Sequence, residues 1–271
     1  MNKIEISETG NLLVYKKGYT PDFVKKTIEE KKLSGMRIFA HLKEDLLDNL
    51  NFLGEFTFLE GLGIATRDEV GYDYYGFLRK LKNLKYLNLQ NEGSIEIDLS
   101  NLTKLEKLSL QWRDKIVGLE KCAKIESLGL IAFKKEDLSL LSPLINLKRL
   151  IIKTSSIRSL NGIESLVNLE YALFGNCRRL ESVIAINKIK RLAELEFNLC
   201  PKMKDIYELH VESLKYLGLI DCKETASLDF VKNFPALQKI ILGSTNVIDG
   251  NLRPIAHLKE KFYAPKKHYR V

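Results

Sequence analysis

Few side chains in this sequence could carry chemistry. There are four cysteines, Cys122, Cys177, Cys200 and Cys222, and four histidines, His41, His210, His257 and His268. Thiolates and imidazoles act as nucleophiles and metal ligands, but both uses need partners set close together. The chain has no C-x-x-C pair and no H-E-x-x-H motif, and its histidines are scattered. A Cys/His nucleophile would have to be assembled from distant segments. Gly61-Leu62-Gly63 is too short to cradle a phosphate. The reading is of a chain that is not an enzyme, with no metal site and no cofactor.

The spacing of three cysteines points to a scaffold instead. Ser155, Cys177, Cys200, Cys222 and Thr245 form a column of small hydroxyl or thiol residues at steps of 22, 23, 22 and 23. The same period governs the leucines. Nine times between residues 56 and 242 an apolar residue recurs at L-x-x-L-x-x-L-x-L spacing, most clearly at Leu81, Leu84, Leu87 and Leu89. Further copies include Leu102/Leu105/Leu108/Leu110, Leu144/Leu147/Leu150/Ile152 and Val211/Leu214/Leu217/Leu219. The third apolar position falls at 62, 87, 108, 128, 150, 172, 195, 217 and 240, which gives steps of 20 to 23 from residue 87 onward.

On these residues the chain resembles the leucine-rich-repeat family, at the short-period end typified by phosphatase regulators, internalins and small single-domain bacterial members. The resemblance implies an α/β solenoid with a curved parallel β-sheet on its concave face and short 3₁₀ or extended segments on the convex side. It also implies that the Ser155–Thr245 column is structural, its side chains bonding to turn backbone. Stacked cysteines in that column would lie about 5 Å apart, near enough for a bridge. Free, buried thiols are nonetheless the expectation. Arg67, Glu92, Arg113 and Phe133 stand where earlier members of the column belong, so the first half should turn less regularly.

Between the strand leucines, side chains point outward, because neighbouring residues of a strand face opposite sides. The outward columns bring together Ile131, Ile151, Leu173 and Tyr171, flanked by Arg149 and Lys153 on one side and by Glu194 and Glu196 on the other. An apolar patch rimmed by charge marks a partner site, and aromatic and arginine anchors supply most of the energy there. Tyr86, Trp112 and Tyr216 extend the candidate partner-binding set. Tyr72, Tyr74, Tyr75 and Phe77 read as cover for an irregular turn, with a binding lip as the alternative.

Solenoids must hide their end leucines, so the terminal units are expected to be atypical. Residues 1–50 read as an N-terminal cap. A hairpin over residues 3–16 turns at Glu8–Asn11, and a helix opens at Thr20-Pro21 and stops at Gly35; Met36-Arg37-Ile38 then make a degenerate first strand. The repeats occupy 51–250. Residues 251–271 form a C-terminal cap, with Leu252, Ile255, Leu258 and Phe262 as its apolar residues and the basic tail Lys266-Lys267-His268-Tyr269-Arg270.

The net charge is +8, but the 35 acidic residues are interleaved with the basic ones, which reads as a solvated surface more than a nucleic-acid site. No apolar run approaches the roughly 20 residues that cross a bilayer. The first residues lack the apolar stretch of a signal peptide, and Asn101-Leu102-Thr103 spends its middle residue on the core. The expectation is a cytoplasmic monomer that binds a partner protein on the concave face, as an inhibitor or immunity-type protein does. The alternatives are a scaffold or targeting subunit of an enzyme such as a phosphatase, and nucleic-acid binding through Lys107, Arg149, Lys153 and the tail.

Overall fold

The computed structural model describes residues 4–7, 11–40, 50–66, 75–90 and 96–271. The expected turn at residues 8–10, Arg67, Glu92, His41, Tyr72 and Tyr74 lie outside the described residues. The chain divides into two compact units, Met1–Ile125 and Glu126–Val271.

In the first unit, β1 (Leu12–Val14), β2 (Gly35–Ala40), β3 (Gly61–Thr66), β4 (Tyr86–Gln90) and β5 (Lys107–Gln111) pair in parallel in chain order. An antiparallel bridge from Ile6 to Leu13 closes the start of the sheet, the remnant of the expected hairpin. Helix α1 (Pro21–Lys31) begins as its sequence dictates, with Thr20 Oγ1 accepting the Phe23 amide at 3.3 Å. Its end differs from expectation. Lys32 turns left-handed at φ 52°, and the chain leaves the helix there. Gly35 instead opens β2, where a Cβ would fall 2.0 Å from the carbonyl oxygen of Gly61. Glycine is required by that close approach of two strands and not by a helix stop.

In the second unit, β6 (Ser127–Ile131), β7 (Arg149–Lys153), β8 (Tyr171–Gly175), β9 (Glu194–Asn198), β10 (Tyr216–Ile220), β11 (Lys239–Gly243) and β12 (Glu260–Tyr263) pair in parallel, again in chain order. Single-turn 3₁₀ segments such as Ile163–Ser165 and Ile206–Glu208 return the chain between strands. A second, two-residue pairing joins Glu224–Thr225 to Asn246–Val247 on the return side. The expected leucine-rich-repeat architecture, a parallel sheet with 3₁₀ returns, is therefore present.

Strand alternation follows directly from the repeat. Leu150 and Ile152 of β7 are fully buried, whereas Ile151 is half-buried and Arg149 and Lys153 are exposed. Rows of inward residues in register make the core: Leu150, Ala172, Leu195 and Leu217 are all at 0 % exposure. The Phe174 and Phe197 rings stack at 5.6 Å between centroids one row further on. No single repeat could bury these rows without its neighbours.

The last strand departs from the sequence reading. Phe262, expected among the apolar residues of the C-terminal cap, pairs in register with Ile241 and is 53 % exposed. Lys261 takes the inward register instead, opposite Ile240, and Tyr263 pairs with Gly243 past a register shift. The Lys261 ammonium satisfies the carbonyls of Ala256 and Leu258 at 3.1 Å each, closing the preceding 3₁₀ turn.

Candidate functional site

The turns that leave the strands set the geometry of the second unit. Ala132, Thr154, Asn176, Leu199 and Asp221 all adopt left-handed backbone, one directly after each of β6 to β10. The amides of the first four reach across to the strand-end carbonyls of Lys153, Gly175, Asn198 and Ile220.

The Ser/Cys/Thr column then turns the chain inward. Ser155 Oγ donates to Phe133 O at 2.6 Å, Cys200 Sγ to Phe174 O at 3.3 Å and Cys222 Sγ to Phe197 O at 3.4 Å. Thr245 Oγ1 donates to Leu219 O and receives the Cys222 amide. Cys177 Sγ instead donates to Gly175 O within its own repeat. Each of the first four side chains thus satisfies a buried carbonyl of the preceding repeat, where an unmet acceptor would be costly.

The four thiols are free and buried. Burial pushes the Cys122 and Cys222 thiols up to about 12. A hydrogen bond between Cys200 and Cys177, together with burial, raises Cys200 and holds it protonated. Such thiols are poor nucleophiles.

An asparagine contact just before a strand, present once in each unit, escaped the sequence reading. The Asn83 amide donates to Thr57 O at 3.0 Å, and that of Asn168 to Ile145 O at 2.9 Å. Lys104 and Arg191 bond back to the two asparagines from the next repeat. The N-L pairs at 83–84 and 168–169, just before the strands, were the available signal.

On the outward side, registered pairs place the predicted residues beside one another. Ile151 lies opposite Leu173 across β7 and β8, and Leu173 lies opposite Glu196 on β9. Tyr171 stands between Arg149 and Glu194 in the neighbouring row. The Arg149 guanidinium stacks 3.6 Å from the Tyr171 ring centroid. Ile131 is in register with Lys153, and Gly129 with Ile151. Ile131, Ile151, Tyr171 and Leu173 are each half-buried. The structure thus brings these four together between the charged flanks.

Glu196 is not free to face a partner alone. Tyr216 Oη donates to its carboxylate at 2.8 Å, over Gly218, where a Cβ would fall 2.7 Å from that phenol oxygen. Burial first, and then the Glu196 hydrogen bond, keep the Tyr216 phenol protonated. Burial likewise raises Tyr171, with the Arg149 charge opposing.

Two predicted residues stand apart. Tyr86 is half-buried on β4 in the first unit. Trp112 is only 5 % exposed, so it offers no surface to a partner. The chain turns inward after Gln111 and takes Trp112 and Arg113 into the core, where the Arg113 guanidinium lies 5.6 Å from the ring centroid of buried Tyr75. Tyr75 and Phe77 are themselves buried, covering the turn before β4.

No protein-family model matches the chain. Over 171 residues, 59 % of its length, it is 30 % identical to the disease resistance protein RPS4B of Arabidopsis thaliana, of which it spans 14 %. Among solved structures it is similar to TLR13 in its complex with ssRNA13, over 93 % of this chain and 39 % of that one, with a TM-score of 0.60 and 17 % identity. It also aligns with an internalin, inlF of Listeria monocytogenes, over 94 % of this chain and 86 % of that one, with a TM-score of 0.49 and 14 % identity. The phased leucines, the registered parallel strands with their 3₁₀ returns and the likeness to TLR13 give this chain the fold of a leucine-rich-repeat solenoid.

Proposed function

We propose that this chain is a non-enzymatic binding module that docks a partner protein on the outward, concave side of its strands. The observation that carries the reading is the Ile131–Ile151–Leu173–Tyr171 patch. A soluble surface gains nothing from holding aliphatic groups half in water between charged flanks, and a partner that covers them removes apolar area at roughly 25 cal/mol per Å². Tyr171, held by Arg149, and Tyr216, held by Glu196, are pre-set aromatic anchors, so little side-chain entropy is lost when they are covered. The role that fits a small repeat module of this kind is to sequester or block one protein in the cytoplasm.

Affinity capture from the native host, wild type beside the Ile151→Glu/Leu173→Glu double variant, tests this. One stoichiometric protein, captured by the wild type and lost from the variant, is expected. The same proteins captured by both would refute it. If the captured protein is an enzyme that stays active with altered substrate choice, the module is a targeting subunit rather than an inhibitor.

A second reading, nucleic-acid binding, draws on the +8 charge. It requires affinity that falls steeply with salt as phosphate contacts release counterions. Glu194 and Glu196 oppose it, because they place carboxylates beside the central patch.

A further inference from the structure

Near the strand ends of the second unit some charged side chains are paired and others are not. Several of their carboxylates have partners. Glu136 pairs with Arg158, and Glu181 with Lys204. Asp137 and Asp249 accept the amides of Ser139 and Asn251, and Asp221 that of Ser244. Asp205 accepts Ser182 Oγ and the Val183 and Ile184 amides, and Glu224 lies 4.0 Å from Lys223. Lys153, Arg178 and Arg179 are exposed, and among the described residues they pair with no carboxylate.

Two of these cations lie near the patch strands: Lys153 is in register with Gly175, and Arg178 follows in the turn after β8. A Cβ on Gly175 would stand 3.4 Å from Lys153 Cγ and 3.5 Å from Leu173 Cδ2. The lysine stem and the leucine therefore both border Gly175. Arg178 Nε donates to Asn176 Oδ1 at 2.9 Å, and the Asn176 amide reaches Thr154 Oγ1 at 3.5 Å. The guanidinium is thereby held back toward the residue that follows Gly175.

We propose that this corner is a carboxylate-recognition site, and that the partner segment presents an acidic residue next to an aliphatic or aromatic one. The apolar residue seats on Ile151 and Leu173, and the acidic one faces Lys153 and Arg178. Bidentate arginine–carboxylate geometry suits the second contact. A protein segment fits better than a nucleic-acid backbone. A single carboxylate stays on the basic corner, whereas a run of phosphates crossing the strands would meet Glu194 and Glu196. This inference rests on the concave-patch reading above and specifies its partner's chemistry.

The test is selection of random displayed peptides on the intact wild-type chain. The enriched peptides are then titrated by fluorescence anisotropy against wild type, Leu173→Glu, and Lys153→Glu/Arg178→Glu. The expected result is enrichment of Asp or Glu adjacent to Leu, Ile, Phe or Tyr, with about a tenfold or greater loss of affinity in both variants and a salt-dependent association rate. Thermal melts matching wild type show that the variants remain folded. Affinity lost in Leu173→Glu but unchanged in the charge variant overturns this inference and leaves the concave patch standing. Affinity unchanged in both overturns both. Enrichment without acidic residues, no enrichment, or displacement of the peptides by single-stranded poly(U) at moderate salt also overturns it.

Discussion

The Arg149 guanidinium lies 3.6 Å from the centroid of the Tyr171 ring, because parallel register puts the two residues side by side on β7 and β8. A cation over a ring contributes about 0.5–1 kcal/mol at an exposed site. Its larger consequence is that two side chains favoured in interface cores are fixed before binding. Arg149→Ala is predicted to leave the melting temperature within a few degrees and to weaken partner binding by about tenfold, read by calorimetric titration. Unchanged affinity would remove Arg149 from the interface.

Most of the fold was legible because a leucine-rich repeat writes its strands in phase. The outward columns read from the sequence are the outward columns of β6 to β11, and Ile151 does lie opposite Leu173. What escaped lay where the pattern breaks. Trp112 follows a strand and has an aromatic body that a patch reading assigns to a partner, yet the chain turns in at that point and buries it. At β12 the apolar residue Phe262 faces out, while Lys261 takes the inward register and spends its charge on two carbonyls. Spacing alone cannot show that a lysine fills a leucine post by capping a turn. The corner at Gly175 was hidden for a related reason: Lys153 and Leu173 meet its border from neighbouring strands, which spacing along the chain does not show.

Ser155 binds two repeats together through the 2.6 Å bond to Phe133 O and also accepts the Ile157 amide. Ser155→Ala strands the buried Ile157 amide and removes one of the two donors to Phe133 O, the other being the Ser156 amide, and should cost about 1–3 kcal/mol. Ser155→Cys, which keeps a weak donor as the neighbouring repeats do, should cost less. Denaturant melts measure both, and equal stability of Ser155→Ala and wild type would show that the bond is idle.

The thiols couple stability to pH. Folded Cys122 and Cys222 hold their protons up to about 12, above the ordinary thiol value near 9 from which they are raised. At pH values between these two, the unfolded chain binds fewer protons than the folded one, so stability falls as pH rises through that window. The contribution is fully present below the lower value. A melting temperature that declines from pH 9 to 11, less steeply in Cys122→Ala/Cys222→Ala than in wild type, is expected. In the native protein near neutral pH, a thiol reagent should label none of the four cysteines until the chain unfolds.

Leu199 holds a left-handed backbone at φ 53° with its side chain 40 % exposed. A branched residue pays roughly 1–2 kcal/mol there, and asparagine pays less. Leu199→Asn should raise stability by about 0.5–1 kcal/mol, since little apolar contact is lost. A fall in melting temperature would mean that the leucine packs more than its exposure suggests.

Trp112 serves the core. Trp112→Ala should cost about 3–5 kcal/mol. The emission of this only tryptophan should be blue-shifted in the native protein and move to the red on unfolding. Quenching of native emission by iodide as efficient as that of free tryptophan would contradict its burial.

The central claim is that the Ile151–Leu173 pair is the anchor of a protein interface. The most direct measurement is calorimetric titration of the protein captured from the native host into wild type and into Ile151→Glu/Leu173→Glu, with melts to establish that both are folded. One-to-one binding to wild type and a loss of at least about a hundredfold in the variant are expected, because charge enters an apolar interface core. Equal affinity for the two folded proteins would place the interface elsewhere and contradict it.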